Sequence, residues 1–558
     1  MHTQNPIESC EAQERTLWCR EERAKILDAW DDCVSLSAFA VSVGVPRTTL
    51  RDWLERREEL LEECESREEV LFFESAAGCR VLHRLLIAAH VMMGLVGQGG
   101  IRLIGQFFEH AGLGLFVATS YSAQRRYAQA LQGEVVAFGK QQTQMLGACM
   151  ERKSVTLCGD ETFHQEGACL VAIEPVSNFI LLEKHEKQRD AATWTRALDE
   201  ACAPLHIEVV QWCADMASQF DALCAQQAWH KSPDLMHVQQ PLVKRSARAL
   251  GQQTHESEKL LRRARERVEQ MTRRLGEAGA QTQPECRALA ALRDEAAQAL
   301  RDAEQKATQQ AHMSELTRDL SRLYQPFNTD TGELRDETTL EVALKEKLDD
   351  ILEHGTACGL QEKFVEAVHK LKRWSTQMVA TLSFFWTQVH EHVAALELVE
   401  EVVKLFVNIW LATEFVAMAG ARARSRDERC ELRKLEGELR AQLTDNTLYC
   451  DLGVAERARL QEAALWCAGL WQRSSSCVEG RNGYLALKHH ALRRLSPQKL
   501  TALTTIHNFF IKRRDGTTPA ARFFGQHHDD LFEHLRHRLK RPPRPAAKRH
   551  QADIRKAA

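Results

Sequence analysis

The chain has 558 residues, of which 44% are hydrophobic and 27% charged, with a net charge of −3. This length suggests about three or four domains, and the composition fits a soluble globular protein, not a disordered or fibrous one. A near-neutral total excludes a uniformly basic nucleic-acid binder, so any polyanion surface must be local.

Charge is in fact uneven. Residues 1–75 are acidic, 463–514 are basic, and the tail from Arg536 to Lys556 is basic again. The 17 cysteines include no C-x-x-C pair. That spacing argues against a zinc ribbon or finger, and with no signal-peptide-like opening it suggests reduced intracellular thiols in a cytoplasmic protein. The most apolar stretch, 405–421, contains Asn408 and Glu414. It reads as a buried helix and not as a membrane span.

Residues 1–75 are expected to form an N-terminal helix-turn-helix domain. In the run 37–54, Ala40 is small where two helices cross, Gly44 supplies the turn, and Val45 is an apolar plug. Pro46 suits a helix start, and Leu50, Trp53 and Leu54 face inward. Arg47, Thr48, Thr49 and Arg51 are left on the outer face, as a groove-reading helix requires. The same pattern also fits a plain helical hairpin. Residues 76–153 read as a second helical domain, either another helix-turn-helix or a packing module.

At Ser154 the pattern changes. Apolar runs at 155–159, 168–174 and 178–183 read as three hairpin-like strands. A helix at about 191–202 and a fourth strand at 207–213 follow. Residues 154–250 are therefore expected to begin an α/β core. Residues 251–470 are almost wholly helical by pattern. Two charge-rich segments with heptad-like spacing, 256–275 and 284–323, read as an antiparallel coiled-coil-like hairpin. Residues 471–525 are expected to complete the core, and 526–558 to be a basic disordered tail.

Two aspartates stand at strand ends: Asp160 after the first core strand and Asp215 after the fourth. If those strands are neighbours, the two carboxylates face each other and repel, a conflict that a divalent cation removes. A third acid is marked by its isolation. Glu479 is the sole carboxylate among residues 463–514, against nine Lys/Arg. It reads either as a metal ligand set where a polyanion docks or as a helix N-terminal acid favoured by the dipole. Glu161 adjoins Asp160, but strand alternation points it to the opposite side.

Gly159-Asp160-Glu161-Thr162, Ala214-Asp215, Asp234-Leu-Met-His237 and Val478-Glu-Gly-Arg-Asn482 together resemble the DDE transposases of bacterial insertion sequences, in particular those with a long helical insertion before the final glutamate. The resemblance spans about 154–525. It implies an α/β ribonuclease H-like core, a mixed sheet with flanking helices, plus large all-α N-terminal and insertion domains. It also implies metal-dependent cleavage and strand transfer at transposon ends. Asp160, Asp215 and Glu479 would then be catalytic and would bind two Mg²⁺ (or Mn²⁺) ions. Arg481, Asn482 and Lys488 would contact the transposon end, and Arg473, Arg493 and Arg494 would join the basic bed for the DNA backbone. Asp234 and His237 would cap and pack a helix. Double-stranded DNA, a homodimer or higher homo-oligomer on it, a nucleoid-associated location and no membrane are the partners expected. The rival expectation is a DNA-binding, regulatory or assembly protein on the same fold with an inactive site.

Overall fold

The computed structural model describes residues 20–30, 35–55, 72–73, 75–164, 167–277, 282–423, 425–492 and 495–540. Arg493, Arg494 and the Pro-rich end of the tail lie outside these. The chain forms two compact units, Met1–Phe138 with Asp530–Ala558, and Gly139–Asp529.

In the first unit, helices α1 (Arg20–Asp28), α2 (Leu36–Ser42) and α3 (Arg47–Glu55) close over a small core of Leu27, Ala40, Val45, Leu50 and Trp53. The Ser35 hydroxyl caps α2 by accepting from Ala38 N at 3.2 Å. Gly44 takes a left-handed φ of 67°, the conformation a short turn between two helices needs. Arg47, Thr48 and Arg51 are exposed on α3, and Thr49 is half-buried. Next come α4 (Ala76–Ala89), which continues as a π-helical turn through Val96, then α5 (Ile101–His110) and α6 (Tyr121–Cys149). The first part of the tail departs from the expected disorder. Residues 531–538 form a helix with Leu531 and Leu535 buried, and His534 meets the Phe138 ring edge-on at 5.1 Å. Its basic residues are compatible with folding because its apolar side chains sit four apart on one face.

The second unit is built on one mixed sheet of five strands: β1 (Lys153–His164), β2 (Gly167–Glu174), β3 (Phe179–Glu186), β4 (Ile207–Ala214) and β5 (His230–Pro233). Their order is β3-β2-β1-β4-β5. The first three are antiparallel neighbours, and β4 and β5 run parallel to β1. The antiparallel part needs only tight turns, whereas the parallel β1–β4 pair needs a crossover, supplied by α7 (Ala191–Cys202). Helix α8 (Ser218–Gln227) links β4 to β5. The fold class is thus helix-dominated with one mixed sheet and flanking helices.

From β5 the chain passes directly into α9 (Leu235–Glu277), which pairs with α10 (Gln283–Leu323) as the expected long hairpin. A capping box between Thr282 and Glu285 starts α10. The insertion continues through α11 (Glu337–Ala357), α12 (Glu362–Ala395), α13 (Glu400–Leu405), a π turn, α14 (Leu411–Arg422), α15 (Arg426–Thr444), α16 (Thr447–Asp451) and α17 (Val454–Leu470). Stripes at helical spacing, such as Leu340, Leu344, Leu348 and Ile351, make its core. Two segments, Ala76–Val96 and Glu400–Arg422, are long and apolar enough to cross a membrane. The second buries Phe406, Trp410, Leu411 and Val416 in the core of the insertion, as its sequence suggested.

After the insertion, α18 (Ser476–Leu492) packs on β1 and β2, α19 (Pro497–Phe509) covers β3, and α20 (Pro519–Phe524) follows. The Asn508 amide pairs with both the N–H and the carbonyl of Ile180 at 2.9 Å, satisfying the exposed edge of the sheet.

Candidate functional site

The parallel register places two carboxylates. Cys158 of β1 pairs with Cys213 of β4, and Asp160 and Asp215 each lie two residues beyond that pair. Asp160 lies within β1, and Asp215 follows the last residue of β4, so both acids come to one level of the parallel β1–β4 pair. Their charges interact: burial first, and also the Asp215 charge, raise the Asp160 carboxyl above its ordinary range. The Asn482 amide donates to one Asp160 oxygen at 2.8 Å, and Ala217 N donates to Asp215 at 3.0 Å. Gly159 allows the arrangement, because a Cβ there would overlap the Trp212 indole.

Glu161 faces the other way, as alternation requires. Its carboxylate accepts from Trp194 Nε1 and Arg189 Nη1, each at 3.0 Å, and from Gln219.

Glu479 returns to the sheet through a clasp. Asp234, fully buried, sits between β5 and α9. One of its oxygens accepts from Ser475 N at 3.0 Å, from the Ser475 hydroxyl, and from His237 Nδ1 at 3.1 Å. The other oxygen accepts from Met236 N at 2.8 Å. Beside it, Leu235 N donates to Arg473 O, the Ser232 hydroxyl to Gln472 O, and the Cys158 thiol to Ser474 O. Residues 472–475 are therefore fixed against the sheet, and Glu479 follows in the first turn of α18. Burial alone would raise the Asp234 carboxyl, but the bonds from His237 and Ser475 outweigh it and hold it low.

His237 completes the cluster. Its Nε2 lies 3.9 Å from Glu479 Oε1. The hydrogen bond to Asp234 foremost, opposed by burial and aided by the charges of Asp234, Asp160 and Glu479, lifts its pKa to about 9. At neutral pH it is an imidazolium among acids. The resemblance implied that Asp234 and His237 cap and pack a helix, and Asp234 does cap α9 through Met236 N. The reach of His237 to Glu479 was not legible, because the two are 242 positions apart.

Ligand atoms of Asp234, His237 and Glu479 lie within 4.8 Å of one another, close enough to share a metal. Asp234 is a poor candidate, since its four hydrogen bonds use the acceptor sites of a carboxylate. It is better placed to orient His237, as carboxylates behind metal-site histidines do. The donor set that remains open is Asp160, Asp215 and Glu479. The ligand atoms of these three do not all lie within 4.8 Å of one another, but three carboxylates brought to the same end of the sheet are hard oxygen donors of the kind a divalent cation takes. Asn482 Oδ1 is buried with no partner among the described residues, leaving one more oxygen acceptor beside Asp160.

Several expected DNA contacts are corrected. Arg481 is buried and bidentate to Glu183, both bonds 2.6 Å, so it bolts α18 to β3. Lys488 is 1% exposed, lies 5.2 Å over the Tyr484 ring, and is pushed down to about 8 by burial and then by Lys499 and Arg481. Arg473 donates to the carbonyls of Ser321 and Tyr324. Asn482 holds Asp160. Within this run Arg473, Arg481, Lys488 and Lys499 thus turn inward while Lys512, Arg513 and Arg514 stay exposed, because a helix packed on a sheet buries one face whatever its charge. Arg47, Thr48, Thr49 and Arg51 stay on the outer side of α3.

A family of unknown function (DUF6399) matches residues 408–551. The match takes in the end of the insertion and the helix bearing Glu479, and leaves out β1, which carries Asp160 and runs on to His164 instead of ending at the acid as expected, and β4, which Asp215 follows. No curated protein matches the chain.

Proposed function

We propose that this chain is a DDE-type transposase that cleaves DNA and transfers strands at transposon ends with divalent metal, on a ribonuclease H-like core. The observation that carries the reading is the meeting of Asp160 and Asp215 on adjacent parallel strands, with Glu479 clasped back beside them across the insertion. The strand order and directions support it too, since that core requires three antiparallel strands followed by two parallel to the first.

Asp160, Asp215 and Glu479 would hold Mg²⁺ or Mn²⁺. Two such ions, when bound, supply an activated attacking hydroxyl and stabilise the leaving oxygen. The protein's own groups prepare that site. Asn482 fixes one oxygen of Asp160. Asp234 holds the His237 ring through Nδ1 and so aims its Nε2 at Glu479. Gly159 and Trp212 set the height of Asp160. The exposed face of α3 would bind duplex DNA, with a homo-oligomer bridging two ends in the nucleoid.

One observation favours the rival, a DNA-binding or assembly protein with an inactive site: the His237 imidazolium already offsets part of the acidic charge. A single experiment separates them. The full chain is incubated with a supercoiled plasmid carrying its own gene and flanking DNA, with Mg²⁺ or with chelator. Metal-dependent nicking or joining is expected, lost in Asp215→Asn while plasmid binding is retained. Binding without metal-dependent cleavage selects the rival. Cleavage that survives in Asp215→Asn sinks the site.

A further inference from the structure

The second unit contains a cavity of about 640 Å³, room enough for a nucleotide, between the helical insertion and the segment that leads to Glu479. Ser474, Ser476 and Cys477 form one wall, so it opens a single helical turn before the candidate catalytic glutamate.

Five arginines converge on it: Arg318, Arg322, Arg422, Arg473 and Arg513. Two are engaged. Arg322 pairs with Glu431 at 3.4 Å, and Arg473 is pinned to backbone carbonyls. The guanidinium groups of Arg318, Arg422 and Arg513 have no hydrogen bond or ion pair among the described residues. Although Arg422 is open to solvent, the protein wall around it and then the nearby charge of Arg513 hold its pKa below the usual arginine value. Three carboxylates also line the cavity, Asp330, Glu428 and Glu431, so positive charge remains in excess.

Arg318, Arg422 and Arg513 meet solvent, whereas Trp471 has a buried indole N–H with no acceptor among the described residues. A buried donor is normally satisfied, and like charges gathered in one cavity repel. A ligand that answers both must carry several acceptor oxygens and negative charge, which describes a phosphate. The aromatic side chains of Phe415 and Trp471 on the same wall suit an attached base.

We infer that this cavity binds a nucleotide phosphate, free or within a DNA strand. Its use for the strand next to the scissile bond rests on the function proposed above; the phosphate chemistry does not.

The test uses the full chain and a short fluorescent single-stranded oligonucleotide, read by anisotropy across a salt series. Arg422→Gln with Arg513→Gln is expected to weaken binding about tenfold and to flatten the log affinity against log salt slope by about 1.4, roughly 0.7 for each phosphate that is no longer neutralised. Arg318→Gln, an exposed change that spares the fold, is expected to flatten it by about 0.7. Displacement of the probe by deoxyadenosine monophosphate identifies a free-nucleotide site, and displacement by unlabelled strand alone identifies a strand site. Unchanged affinity and slope in both the double variant and Arg318→Gln overturn the inference. Cleavage in the plasmid assay keeps the two readings apart. Arginine variants with normal binding beside a cleaving wild type refute the cavity alone. Loss of binding in a chain that never cleaves refutes the enzyme reading alone.

Discussion

Ser475 donates both its backbone N–H and its hydroxyl to a single carboxylate oxygen of Asp234, 241 positions earlier in the chain. The same oxygen receives His237 Nδ1. This junction closes a helical insertion of more than two hundred residues onto the sheet and fixes where α18 begins, and therefore where Glu479 stands. Folding of the insertion and assembly of the site are thereby one event at one carboxylate.

Removing that carboxylate should cost far more than removing one donor. Asp234→Ala strands the buried Ser475 N–H and deprives the half-buried His237 ring of its carboxylate, an expected loss of about 3–5 kcal/mol. Ser475→Ala removes one hydroxyl bond, an expected loss of about 1–2 kcal/mol. Denaturant unfolding of both singles and the double should show coupling, and strictly additive effects would mean that the clasp does not act as a unit.

Arg481 and Glu183 form a buried bidentate pair, to which Thr504 also donates at 2.6 Å. Arg481→Ala leaves a buried carboxylate without its cation and should destabilise the second unit by about 3–5 kcal/mol. Replacing both partners, Arg481→Met with Glu183→Leu, should recover most of that loss in thermal melts. An Arg481→Ala protein with wild-type stability and weakened DNA binding would restore the DNA-contact role.

Asn482 links the third acid's helix to the first acid. Asn482→Ala frees the bonded oxygen of Asp160, and the expected result is a 10- to 100-fold lower rate of metal-dependent cleavage, the range typical for groups that orient metal ligands. Plasmid affinity should not change. A variant that cleaves at the wild-type rate would show that Asp160 needs no such support.

Acid should destabilise the second unit through two half-buried histidines. His507, which meets Asn178 O at 2.9 Å, and His230, stacked on Phe384 at 4.5 Å, are both held down to about 4 by burial. The unfolded chain binds these protons near pH 6.5 and the folded chain does not. Their stabilising contribution is thus complete above pH 6.5 and is lost as pH falls toward 4, up to about 3 kcal/mol each. The melting temperature of His507→Gln should fall less steeply over that window than that of the wild type.

Much of the frame was legible in one dimension. Short apolar runs of strand length, bounded by turns, marked the strands, although β1 runs four residues past Asp160. Heptad spacing marked the α9–α10 hairpin, and Gly44, Val45 and Trp53 marked the N-terminal turn, because these patterns depend on neighbours close in sequence. Opposite directions for Asp160 and Glu161 followed from the pleat alone. Glu479 stood out by composition. Partnership was not legible. The same run of cations that suggested an open bed for DNA contains Arg481, whose buried partner lies on β3, and Lys488, which lies under Tyr484. Sequence records that a residue is charged, but only packing decides whether its charge meets water, a carboxylate or a carbonyl. His237 shows the same division: its cap is a local bond to Asp234, three residues away, whereas its approach to Glu479 exists only because Ser475 returns to Asp234.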